Sequence, residues 1–167
     1  MLLDVFGEFM KYQILIIILS INFTFYAQEF QTTGTNKVEE NMNEAKIEIV
    51  KKFIDAYNSM DVDKMLTYLH PEIEFKNISN GEVNAHTFGI KEFKEIANTS
   101  IGMFKQREQK IISYEEEDDK INVTISYHAI LAIDLPNGLQ AGESLDLEGK
   151  SEYIFKDNLI ISIVDES

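Results

Sequence analysis

The sequence predicts an α+β fold: a cone-shaped half-barrel in which three N-terminal helices pack on a strongly bent, mainly antiparallel sheet. Three observations carry this. Apolar residues between Ile47 and Phe104 recur at spacings of three and four, as on helix faces. Beyond Phe104 the period falls to two, as in strands. The resulting order is helix, helix, strand, helix, then four antiparallel strands, which stacks helices on one face of a sheet around an internal cavity.

The first helix carries Ile47, Val50, Phe53, Ile54 and Tyr57 on one stripe, while Lys46, Glu48, Lys51, Lys52 and Asp55 stay in water. Asn41 and Glu44 stand three apart, the spacing of a capping box, so the helix is expected to start there. Asp61 is placed to cap a shorter second helix with Val62, Met65, Leu66 and Leu69, which Pro71 should end. Glu72 to Asn77 alternates as a strand with Ile73 and Phe75 on one side. Residues 77–89, with two glycines and no period, read as a loop. A third helix follows with Ile90, Phe93, Ile96, Ala97, Ile101 and Phe104.

Strands are then expected over Arg107–Glu115, Ile121–Leu135, Ser144–Lys156 and Leu159–Asp165. The acidic run 115–119, Pro136-Asn137-Gly138 and Asp157-Asn158 form the turns. Tyr127 shares the inner face of the second of these strands with Val123, Ile125 and Ala129; His128 and Ile130 face outward.

The chain of 167 residues is 44% hydrophobic, enough for one domain with a real core, and carries a formal charge of -14. That charge repels phosphate backbones, so nucleic acid is not an expected partner. Arg107 is the single arginine, the one planar fork able to grip a carboxylate or phosphate. Cysteine is absent, which excludes disulfides, thiolate metal sites and a cysteine nucleophile.

Residues 14–26 are mostly apolar, a length suited to a signal-peptide core and short of a membrane span. Cleavage near Ala27 is expected, giving residues 1–27 as a signal peptide, with MKYQ from Met10 as its ordinary beginning. The protein is therefore expected to be exported, periplasmic or secreted, with no stable membrane span after processing. Residues 28–40 read as a flexible linker and 41–167 as the domain.

The segments VKKFIDAYNSMDVDKMLTYLHPEIEF, FGIKEFKEI and LEGKSEYIFKDNLIISIVD together resemble the nuclear transport factor 2-like superfamily and its SnoaL-like domains, over nearly the whole mature chain. That superfamily includes isomerases, polyketide cyclases, dehydratases and plain binding or dimerisation modules, so the resemblance alone does not choose a function. Its ketosteroid-isomerase pattern implies an oxyanion hole made by a first-helix tyrosine and a strand acid, facing an aspartate base. Aligned on Asp61-Val62-Asp63, these positions fall on Phe53, on Asn77 for the base, and near Ser151, with Glu152 adjacent. Phenylalanine has no hydroxyl to donate and asparagine takes up no proton near neutral pH, so that isomerase chemistry is not expected.

The remaining candidates are Phe53, Tyr57, Phe75, Asn77, Phe93 and Tyr127 as walls and polar handles of an apolar pocket. His86 and Glu152 are the weak candidates for proton transfer. The three histidines lack ligand spacing, and the acidic run lacks the spaced carboxylates of a calcium loop, so no metal and no cofactor are expected. The leading expectation is a non-catalytic domain that binds a small hydrophobic molecule or serves to dimerise through its outer sheet face around His128. The alternative is a small-molecule isomerase, cyclase or dehydratase using acid–base chemistry.

Overall fold

The computed structural model describes residues 36–135 and 138–167. The expected signal peptide and most of the linker lie outside them. Helix α1 runs from Asn36 to Asn58, five residues earlier than the Asn41 cap suggested, so residues 36–40 of the expected linker are helical. KVEEN contains no glycine or proline and several strong helix formers, which lets the helix extend upstream. Ile47, Val50, Phe53, Ile54 and Ala56 are buried along its inner stripe.

Asp61 caps α2 (Val62–Leu66), its side chain accepting from the Lys64 amide at 2.9 Å. The helix stops at Leu66, and β1 (Leu69–Ser79) already includes Pro71, so Leu69 belongs to the strand and not to the helix. Proline is tolerated there because the pairing of β1 with β6 is irregular between Leu69 and Glu74, where no ladder amide is required. The expected loop 77–89 is corrected most: it folds back as β2 (Glu82–Phe88), paired antiparallel to β1. Asn80 and Gly81 take positive φ, 53° and 77°, the conformation that makes Asn-Gly a tight hairpin turn. As an edge strand with exposed Val83 and Phe88, β2 shows no clean alternation.

Helix α3 (Gly89–Ile101) buries Phe93 and Ala97 and ends before Phe104, which opens β3 (Phe104–Glu117). The acidic run is thus mostly strand, and the turn is confined to Asp118-Asp119. β4 (Lys120–Leu131) stops four residues short of expectation; β5 (Ser144–Lys156) and β6 (Leu159–Glu166) close as a hairpin over Asp157-Asn158. The six strands form one curved, unclosed sheet in the order β2-β1-β6-β5-β4-β3. Among the described strands only β1 and β6 pair in parallel. The helices cover its concave side, where Ile73, Ile121, Val123, Tyr153, Ile160 and Ile163 complete the core.

One side chain ties the first helix to the far edge of this sheet. The Asn58 amide donates to the Gln109 carbonyl at 2.9 Å, and its oxygen accepts from the Gln109 amide at 2.7 Å. Alanine at 58 leaves both groups without partners inside the protein, and should lower unfolding free energy by about 1–3 kcal/mol in urea titration. A loss below the error of that titration would show that water replaces the clamp without cost.

No helix among the described residues is long and apolar enough to cross a membrane.

Candidate functional site

Between α1, α3 and the concave sheet lies a cavity of about 220 Å³. Phe53, Tyr57, Phe75, Asn77, Phe93 and Tyr127 all line it, so the structure brings these six residues to one place. The aromatic wall is continuous: Phe93 meets Phe75 edge-on, with ring centroids 5.7 Å apart, and Phe53 at 6.4 Å. Phe53 also meets Tyr153 at 6.1 Å, and Phe104 meets Tyr127 at 6.2 Å. These rings do not fill the interior, which leaves the space open to a guest. Exposed Glu148, Lys150 and Glu166 mark its open side.

His86 and Glu152 do not join this lining. His86 lies in β2 and not in a loop; its Nε2 is 2.8 Å from Glu74 Oε1, and its ring meets that of exposed Phe88 at a tilt of 47°. Glu152 accepts from Lys120 Nζ at 2.9 Å. In β5 it alternates with the buried Ser151 and Tyr153, which sends it to the opposite sheet face. The structure therefore does not bring these two side chains together in the cavity. His128 pairs with Asp146 at 2.8 Å outside the core, consistent with its outward register.

The ionisable groups that do reach the cavity are Asp165 and Arg107. Asp165 follows Ile163 by two in β6, so the strand's period turns it inward beside a buried isoleucine. It stands opposite Ser151 in β5, whose hydroxyl donates to Asp165 Oδ1 at 2.6 Å. Among the described residues no lysine, arginine or histidine pairs with it. Enclosure by protein pushes the carboxyl up to about 6, against the smaller opposing effect of the Ser151 bond. The group is nonetheless partly accessible, since it faces the cavity.

Arg107 lies in β3 and is 2% exposed. Its guanidinium carbon sits 3.7 Å from the centre of the Tyr57 ring, Nε donates to the Tyr57 carbonyl at 3.0 Å, and Nη1 donates to Ser100 Oγ at 3.0 Å. Nη2 is buried and has no acceptor among the described residues. Burial holds the Tyr57 and Tyr127 phenols above their ordinary range, so both remain proton donors at any working pH. Asn77 donates to Asn84 Oδ1 at 2.5 Å, and the Asn84 amide nitrogen is left without a partner. Among the described residues no three histidine, aspartate or glutamate side chains gather to hold a metal.

Sequence reasoning named Arg107 as the sole arginine without placing it, and read Asp165 only as a strand end. For Asp165 the signal was a charged residue on the inner register of a strand, two positions from the buried Ile163; Arg107 stands between exposed Lys105 and half-buried Gln109, beside a register shift in β3, and had no such signal.

The family profile described as a SnoaL-like domain matches residues 50–163. No curated protein matches the chain by sequence. Among solved structures, one from Xanthomonas campestris pv. campestris, provisionally assigned as a polyketide cyclase, superimposes with a TM-score of 0.64 at 16% identity, covering 75% of this chain and 91% of that one. A SnoaL-like protein from Jannaschia sp. CCS1, also provisionally assigned as a polyketide cyclase, reaches 0.65 at 14% identity, covering 80% and 90%. TerC, co-crystallised with polyporic acid, reaches 0.60 at 14% identity, covering 72% and 89%. At these identities the likeness extends to the fold.

Proposed function

We propose, for a chain that belongs to the SnoaL-like domain family, that the cavity binds a small, largely apolar molecule and that Asp165 exchanges a proton with it. The observation that carries this reading is the Asp165 carboxyl, facing an unfilled aromatic cavity with Ser151 as its hydrogen-bond donor and no cationic partner. A carboxyl half-ionised at about 6 is a base above that pH and an acid below it, the range in which proton transfer to carbon or oxygen is most useful. The apolar walls strengthen its basicity by excluding water, and the Tyr57 and Tyr127 hydroxyls offer donors nearby.

This favours the isomerase, cyclase or dehydratase classes over pure binding, with Asp165 in the role once expected of His86 or Glu152. The solved neighbours assigned as polyketide cyclases support the same direction. Export of the mature chain and pairing of two copies through the outer sheet face are part of this reading, on the strength of the sequence.

A neutral probe of carboxylate bases in apolar pockets tests it. In 5-nitrobenzisoxazole the Asp165 carboxylate takes the proton from C3 as the ring N–O bond breaks, and the coloured cyanonitrophenolate leaves. The expected result is catalysis that rises with pH through about 6 and disappears in Asp165→Asn. Equal rates for the wild type and Asp165→Asn would remove the proposal.

A further inference from the structure

The geometry points to a ligand that carries a negative charge, a single-ring carboxylate or an equivalent oxyanion, seated against Arg107. This rests on the reading of the cavity as a small-molecule site and names the chemical class it takes.

Arg107 is a permanent cation and is almost wholly buried. Among the described residues no carboxylate lies within ion-pair distance of it; its partners are a carbonyl, a hydroxyl and the face of Tyr57. Those neutral contacts compensate only part of the cost of taking a guanidinium out of water. Arg107 lines the same cavity, and its Nη2, enclosed by the protein just behind that wall, has no acceptor among the described residues. Buried polar groups in folded proteins nearly always have partners, so an orphaned charged donor beside an empty cavity marks where a partner arrives from outside.

A second orphaned donor, the Asn84 amide, lies across the cavity on β2, at the opposite end of the strand order from β3. Two walls thus each hold a buried donor without an acceptor, and the cavity's own carboxyl, Asp165, stands apart from both on β6. An anion supplies acceptors and cancels the one fixed charge. Lys150, Glu148 and Glu166 at the open side are in water, where screening reduces their influence.

Volume limits the rest of the molecule. A cavity of roughly 150 Å³ holds benzene in another protein, so about 220 Å³ holds one substituted ring. A compact fused bicycle such as 5-nitrobenzisoxazole is near the limit, and skeletons of three or more rings would have to project through the mouth.

Calorimetric titration of the full-length protein with benzoate and with benzamide tests this, below the Asp165 midpoint, where that carboxyl is protonated and benzoate still ionised. Benzoate should bind at least about tenfold more tightly, the difference expected when a hydrogen bond to a buried charged donor is made to an anion. Arg107→Gln should erase the preference, with benzoate binding no more tightly than benzamide. Should that variant fail to fold, the wild-type comparison decides alone. Equal or tighter binding of benzamide overturns the inference, as does the absence of binding by both. If 5-nitrobenzisoxazole is still turned over in either case, the acid–base reading of Asp165 stands and only the anion is lost; if both tests fail, the site itself is lost.

Discussion

Asp165→Asn should give a protein that is more stable at neutral pH and unable to transfer a proton in its cavity. The two effects share one cause. Burial raises the carboxyl from 3.8 to about 6 in the folded chain, so folding opposes its ionisation. Between those values the folded state holds a proton that the unfolded state has released. Stability therefore falls as pH rises through this window, and the deficit is fully present above about 6. Two pH units correspond to about 3 kcal/mol at most. Asparagine keeps an oxygen to accept the Ser151 hydroxyl and carries no charge, so it recovers that deficit without losing the bond. Urea titrations should show the variant ahead near neutrality and level with the wild type in acid. A variant less stable than the wild type at neutral pH would mean that the carboxylate is compensated by a partner.

Phe53→Ala should have the largest destabilising effect, a loss of about 3–5 kcal/mol. Phe53 is 5% exposed and packs at an angle against both Phe93 and Tyr153, so its removal breaks the aromatic wall where α1 meets α3 and β5. The hole opens into a cavity that already exists, and the neighbouring rings cannot collapse to fill it. Thermal unfolding should drop by roughly 10 °C or more. A loss under about 1 kcal/mol would show that the wall repacks and that the cavity is pliant. Arg107, held from below by Tyr57 one turn along α1, should remain seated in either variant.

How far this arrangement is legible in the sequence differs by element. The α1 stripe is plain because every third or fourth residue from Ile47 to Ile54 is apolar and buried, and the alternation of β4 and β5 is as regular. β2 is hidden because an edge strand packs one face incompletely, although Asn80-Gly81 announces its turn. The helical residues 36–40 are hidden because they are polar and carry no stripe. In the site, the aromatic wall follows from periodicity, since Phe53, Phe75 and Phe93 sit on inward positions of α1, β1 and α3. The chemistry does not follow, because Asp165 and Ser151 come together only through the pairing of β5 with β6, and Arg107 reaches Tyr57 only through the curvature that brings β3 under α1. A residue's type says what it can do; which residues share a cavity is a property of the sheet.

The central claim is that Asp165 is a proton-exchanging group held in the wall of an apolar cavity. Carbon-13 NMR of the aspartate carboxyls, with the Asp165 signal assigned by its absence in Asp165→Asn, measures this directly. A midpoint of about 6 is the predicted result. Titration near the ordinary aspartate value of about 4 would contradict the account, because it would mean that the carboxylate is solvated or paired and has no tuned role in the cavity.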